Sequence, residues 1–497
     1  MRKVPTGSKA TAVQVVWSKR RGRVEMEHIG SAHSQAEVEV LLAVAAQRIA
    51  QGQDELPLAV PAKVQPSALE IADSRMGRLL GALGHVYRQV GLDVASGHDK
   101  VFEQLVTARI IEPTSKKDAA RVLEEAGWPP VSYATVKRRL PGYAAIGFRN
   151  ALSGALAARA PLGPSALCLY DVTTLWFETD TADGFREPGF SKERRLEPQI
   201  TVGLLTDATG APLMVEAFEG NKAETKTMIP VIRRFVEAHG IAGVTVVADA
   251  GMLSEANLTD VEDAGWSFVV GGKLPDIPYQ IAQWRRANPG AEPPEGLTLA
   301  QPLLMGSNAN PRCRQVYYQY RQDRARRTLH GIDQQVAKAE KAVAGQMSVK
   351  RNRFIVLTGG TKRVNRDLEA KARALAGWKS YVTNMMDADA GFVIGAYHQL
   401  WNVEHSFRMS KHDLKARPVY SRTRESIDAH LAIVFAALAV SHWLEQRTGW
   451  TIKKLVQTLR RYRQATINTG TQHVIAEQPI PDDVRAILAK IHQQPGD

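Results

Sequence analysis

The sequence predicts an α/β protein: a mixed sheet flanked by helices, with a subdomain inserted before a late helix that carries a glutamate, and a mostly helical region ahead of the sheet. Three observations predict it. Between residues 161 and 274 short apolar runs alternate with amphipathic stretches in the order βββαβαβ. From about Arg78 to Ala160 the pattern is helical almost throughout. Finally, about 120 residues separate the last strand of the series from the next long helix, too many for a structureless loop.

In residues 1–60, TAVQVVWSKRRGRVEMEHIG from Thr11 alternates apolar and polar side chains around Arg-Arg-Gly, the pattern of a β-hairpin with a basic tip. A helix follows in AEVEVLLAVAAQRIAQGQ from Ala36, and the three prolines of PLAVPAKVQPSAL from Pro57 predict a connection or edge element. Residues 61–160 form a helical region. Within it Asp118–Ala126 reads as an amphipathic helix, Gly127–Pro130 as a break, and Ser132 as the cap of a second helix bearing Lys137, Arg138 and Arg139. The pair resembles a helix-turn-helix that would set these three cations on DNA. Helix pairs joined by Gly-Pro turns are also common in all-α domains, so both readings stand.

Residues 161–274 hold the alternating series. SALCLYDVTTLWFE is a strand, and EPQITVGLLTDATGAPLMVEAFEGN is two strands around Asp207-Ala208-Thr209-Gly210. Then come the helix TKTMIPVIRRFVEAHG, the buried strand VTVVADAG, a helix capped by Ser254, and the strand WSFVVGGK. With one carboxylate on the first strand and another just past the fourth, this is the layout of an RNase H-like domain. Residues 275–394 are the insertion, with RCRQVYYQYRQDRARR as a basic run interleaved with tyrosines, a short helix in DQQVAKAEKAVAG, and strands in RFIVLTGG and SYVTNMM. Residues 395–450 complete the core, and 451–497 form a basic helical tail.

Lys and Arg total 64 against 51 Asp and Glu, a net charge of +13, which favours a polyanionic partner such as nucleic acid. The two cysteines, Cys168 and Cys313, predict neither a disulfide framework nor a zinc site, and suggest a reducing cytoplasm. The N-terminus lacks a signal-peptide apolar run, and AHLAIVFAALAVSHWL from Ala429 reads as a buried helix, so no membrane partner is expected.

Three acidic residues are weighed together: Asp171 inside an apolar strand, Asp249 at the end of VTVVADAG, and Glu404 on the late helix. Singly, each reads as an edge, turn or surface residue; their joint placement points to a shared site. Converging carboxylates suit Mg2+ or Mn2+. Two such ions about 3.5–4 Å apart carry in-line displacement at phosphorus without a side-chain nucleophile. Neither a G-x-S-x-G elbow nor a Walker A loop competes with that reading. At about 100° per residue, Tyr397, Glu404, Arg408, Lys411 and Lys415 share one helix face, a cation stripe suited to a phosphate backbone, while Trp401 is read as helix packing.

YHQLWNVEHSFRMSKHDLK, from Tyr397, holds Tyr397, Glu404 and Lys411 at the spacing Y-x2-R-x3-E-x6-K. It resembles the third motif of a group of DDE transposases encoded by bacterial insertion sequences. Leu400 stands where that pattern has arginine, a contact that Arg408 or Arg417 would take over. YDVTTLWFE and VVADAGMLSEANL also look like the family's first and second motifs, and the resemblance spans roughly residues 1–450. It implies that Asp171, Asp249 and Glu404 are the metal-binding and catalytic triad for two Mg2+ or Mn2+ ions per site. It implies double-stranded DNA as partner: hydrolysis at the terminal inverted repeats of the element, then attack of the freed 3′-OH on target DNA by a homodimer at the bacterial nucleoid. Arg408 and Lys411 would hold backbone phosphates, and Tyr397 would stack on or hydrogen-bond to the end DNA. The alternatives are an RNase H-fold nuclease without strand transfer and an inactive DNA-binding regulator.

Overall fold

The computed structural model describes the chain except residues 8–9, 21–22, 52–69, 161–165, 180, 190–196, 242, 252–253, 308–309, 349–351, 359–360, 417–420, 469–472 and 494–497. It divides into two compact units, Met1–Leu69 and Glu70–Asp497.

In the first unit, strands Arg2–Pro5, Thr11–Arg20 and Arg23–Ala32 form an antiparallel meander. The helix Gln35–Gln51 covers one face, closing a small core of Val13, Val15, Ala32, Val38 and Ala45. Ser34 and Glu37 start that helix by exchanging side-chain-to-backbone hydrogen bonds, the capping-box arrangement. The tip of the predicted basic hairpin, residues 21–22, lies outside the described residues.

The second unit is built on an eight-stranded sheet. Its strands in chain order are β1 (Leu167–Trp176), β2 (Gln199–Thr206), β3 (Pro212–Glu219), β4 (Thr245–Ala248), β5 (Ser267–Gly272), β6 (Thr298–Ser307), β7 (Asn310–Tyr320) and β8 (Trp378–Thr383). They lie side by side as β6-β7-β8-β5-β4-β1-β2-β3. Strands β1, β4 and β5 are parallel, and β2 and β3 run antiparallel beside β1 as successive hairpins. The five strands β3-β2-β1-β4-β5 are the RNase H-like core that the sequence predicts. The predicted inserted subdomain differs from expectation in one respect: β6, β7 and β8 continue the central sheet beyond β5 in antiparallel register. What packs apart from the sheet is smaller, the helix Gln322–Val343 with the hairpin Ile355–Thr358/Thr361–Val364 and the helix Arg366–Ala374, around Ile332, Val336, Ala339 and Phe354.

One side of the sheet is covered by the helix Arg424–Thr448. It is long and apolar enough to cross a membrane, yet 89% of its most apolar window is buried in the protein. A helix that is apolar all round must bury every face. Here it shares a core cluster with Leu169, Leu204 and Val247 of the sheet and with the helices Gly77–Gln89, Lys100–Ile111 and Ala119–Ala126. The helix pair read from the sequence is present: Gly127 ends the first helix at φ 76°, and Ser132 caps Tyr133–Ala144 through the amide of Thr135. Lys137, Arg138 and Arg139 are exposed on that second helix. The predicted helical tail is only partly helical. Ile452–Leu459 and Asp482–His492 flank a hairpin, Gln464–Asn468/His473–Glu477, whose first strand pairs with Glu70–Arg75.

Arg314 of β7 ties the added strands to the core. Fully buried, it makes two hydrogen bonds to Glu262, at 2.9 and 3.0 Å, and an ion pair to Glu255 on the helix Glu255–Asp263. Arg314→Met leaves the buried Glu262 carboxylate with Arg312 alone, whose Nε is 3.5 Å away, and is expected to cost up to about 3 kcal/mol, read as a lower urea midpoint at unchanged slope.

Candidate active site

The parallel register of β1 on β4 matches Leu169 with Val247. Two residues further along each strand, Asp171 and Asp249 come level on the same face. Asp171 is half-buried in β1, opposite Leu204 of β2, while Asp249 stands exposed one residue past the end of β4.

The third carboxylate arrives on a helix that a turn holds in place. In the β2–β3 turn, the Asp207 carboxylate accepts hydrogen bonds from the Thr209 amide and hydroxyl and the Ala211 amide, while Gly210 adopts φ 92°. The helix Leu400–Arg408 docks on this turn: Asn402 donates to the Ala208 carbonyl and Ser406 to the Gly210 carbonyl, each at 2.7 Å. A side chain at Gly210 would meet the backbone of Asn402 at 2.9 Å. Anchored so, the helix sets Glu404 across a cleft of about 410 Å³ whose walls include Asp171 and Asp249.

Arg408 and Lys411 line the same cleft, as do Glu224, Thr173, Thr174, His412 and Leu400. Leu400 thus occupies the cleft wall at the position where the motif has arginine. Arg417 lies outside the described residues. Glu224, from a short 3-10 turn before the helix Met228–His239, is a fourth carboxylate that the sequence reading did not single out; its place just after the EGN of the β3 exit is the one local signal.

The single cation stripe does not form. The chain winds as Ala390–His398, breaks at Gln399, continues as Leu400–Arg408, and widens into a π-turn at Met409–Asp413. Such widened turns redirect the chain beyond them, and they recur at functional sites. Glu404, Arg408 and Lys411 therefore reach the cleft, whereas Lys415 falls past the helix in a left-handed conformation, φ 42°, and does not line it. Tyr397 is also displaced from its expected role: it is 8% exposed, packed behind the cleft, and its hydroxyl donates to Asp249 Oδ1 at 2.7 Å. Burial first, then this bond and the Asp249 charge, pushes its phenol well above the usual range and keeps it a neutral donor. Trp401, expected to pack, is 63% exposed with its ring edge-on to His405.

The donors around the cleft are hard carboxylate oxygens open to water, which fits a divalent cation of the Mg2+ type. Among the described residues, no three His, Cys, Asp or Glu side chains stand at metal-ligand spacing.

No curated protein matches the chain. Among solved structures it is similar to the piggyBac transposase in a synaptic complex with hairpin DNA, with 9% identity, TM-score 0.37, and coverage of 90% of this chain and 78% of that one. It is also similar to a pre-cleavage Mos1 transpososome, with 13% identity, TM-score 0.15, and coverage of 46% and 67%. At these scores neither likeness assigns a role to any residue here. The transposase DDE domain family matches residues 164–440, more than half of the chain, a span that holds both aspartates, the insertion and the glutamate helix. The chain belongs to the DDE transposases.

Proposed function

We propose that this transposase binds the terminal inverted repeats of its element, hydrolyses a phosphodiester at each end, and joins the freed 3′-OH to target DNA. The observation that carries this reading is the shared cleft of Asp171, Asp249 and Glu404 with Arg408 and Lys411 on its wall. The three carboxylates would hold two Mg2+ or Mn2+ ions. When bound, these supply Lewis-acid stabilisation of the charge that develops on the phosphoryl oxygens. Exposed on its helix, Glu404 is the side chain with freedom to close the set to ligand distance. Arg408 and Lys411 neutralise the backbone phosphates beside the scissile bond, so DNA enters a cleft that would otherwise repel it. The exposed Lys137, Arg138 and Arg139 extend the contact along the duplex, and two copies of the chain hold the paired ends in the cytoplasm.

The test is a labelled duplex taken from the DNA flanking the coding region, incubated with the protein and Mg2+. Cut ends followed by products joined to a plasmid support the proposal; cutting without joining favours an RNase H-fold nuclease, and no cutting by folded, DNA-bound protein favours a regulator. Arg408→Ala and Lys411→Ala are each expected to reduce the slope of log K against log salt by about one. Binding titrations across a salt series read this directly, and an unchanged slope would remove that residue from the phosphate contacts.

A further inference from the structure

The sheet extension brings a lysine to the back of the cleft that neither motif nor composition marks. Strand β8 pairs with β5, which pairs with β4, the strand leading into Asp249. From β8, Lys379 places its ammonium 4.0 Å from the centre of the Tyr397 ring. Tyr381 closes the side of that ring edge-on at 5.2 Å, and Gly271 of β5 supplies the space it needs, since a Cβ there would come within 2.9 Å of the phenol oxygen. The hydroxyl so held donates to Asp249 Oδ1 at 2.7 Å, and the Ala250 amide donates to the same oxygen at 2.8 Å.

Resting on the reading of Asp249 as a metal ligand, we infer that Lys379 and Tyr397 form a positioning chain which occupies Asp249 Oδ1 and presents Oδ2 to the cation. Two donors use the in-plane acceptor sites of Oδ1, so the carboxylate can no longer rotate freely. A cation on the ring face withdraws density from the phenol and strengthens its O–H as a donor. Ligating carboxylates are commonly oriented by such outer partners, and losing one costs about 10–100-fold in metal affinity. The inserted segment thereby acts on the metal site through Tyr397 without touching substrate.

The test measures Mn2+ binding to the full-length, DNA-free protein by the electron paramagnetic resonance signal of free Mn2+, alongside end-DNA affinity in EDTA. Tyr397→Phe is expected to weaken Mn2+ binding about tenfold. Lys379→Met should weaken it about fivefold, with Lys379→Arg returning it to within about twofold of wild type. DNA affinity in EDTA stays unchanged in all three. Wild-type Mn2+ affinity in Tyr397→Phe, with Asp249→Ala lacking the site, overturns the positioning chain alone. Mn2+ binding that survives in Asp249→Ala overturns the metal assignment beneath it. Loss of DNA affinity by Tyr397→Phe in EDTA also overturns the inference, in favour of a direct DNA contact. Thermal melts separate unfolding from each effect, and Tyr397→Phe, which removes one oxygen, decides the matter if Lys379→Met does not fold.

Discussion

Asp171→Ala and Asp249→Ala proteins are expected to bind end DNA and not to cut it. If the cleft holds two divalent ions as proposed, removing one carboxylate takes away several kcal/mol of transition-state stabilisation, a loss on the order of a thousandfold or more in the cleavage rate. Binding moves the other way. Asp171, Asp249, Glu404 and Glu224 put negative charge beside Arg408 and Lys411, so deleting one carboxylate leaves affinity for a polyanion equal or slightly higher. Glu404→Gln sharpens the comparison because it keeps the shape of the side chain and removes its charge. Single-turnover cleavage in Mg2+, paired with binding in EDTA, reads both quantities. A variant that cuts within about tenfold of wild type would show that its residue is no metal ligand.

Lys116→Met is expected to make the protein more stable. Lys116 is packed near Arg109, 8% exposed, and His430, 5% exposed, beneath the long apolar helix, and its ammonium donates to the Ser421 hydroxyl at 3.2 Å. Burial first, then the Arg109 charge, holds its pKa down at about 8 against an ordinary 10.5. The same surroundings bring Arg109 down to about 10 and His430 well below 6.5, leaving the imidazole neutral against the Ala416 carbonyl at 3.1 Å. Linkage sets the sign. Between pH 8 and 10.5 the unfolded chain binds more protons at Lys116 than the folded one, so stability rises with pH across that window. Below pH 8 the cost is fully present, as much as about 3 kcal/mol. Methionine keeps the volume and removes the charge. Denaturant unfolding of the variant should give a higher midpoint at pH 7 and a flatter pH dependence from 8 to 10.5; a lower midpoint at pH 7 would show that the ammonium is compensated in the fold.

The core strands are legible because strands buried on both faces are written as short apolar runs, and their turns carry Gly, Asp or a capping serine at fixed places. Gly127, Ser132, Ser254 and Gly210 each sit where the sequence puts them. The helix Gln322–Val343 is legible in the sequence only from about Asp333, because its first turns are arginine-rich and charge there masks the spacing of Ala325, Ile332 and Val336. The one-face stripe from Tyr397 to Lys415 assumes continuous α-geometry; nothing local announces the break at Gln399 or the widening at Met409. Glu224 and Lys379 reach their places through a turn and through sheet register, which are long-range facts that periodicity does not encode.

The position of β8 beside β5 also decides what can be cut away. In a bare RNase H-like sheet β5 would be the rim, and a rim of unpaired amides and carbonyls invites pairing with another chain. Here that rim is sealed by residues that arrive more than a hundred positions later. Shortening the protein by deleting 275–394 would reopen the rim, strip Arg314 from Glu262 and turn an interior into a surface that recruits its own copies. What reads in the sequence as an inserted subdomain is, in the sheet, the seal on its side.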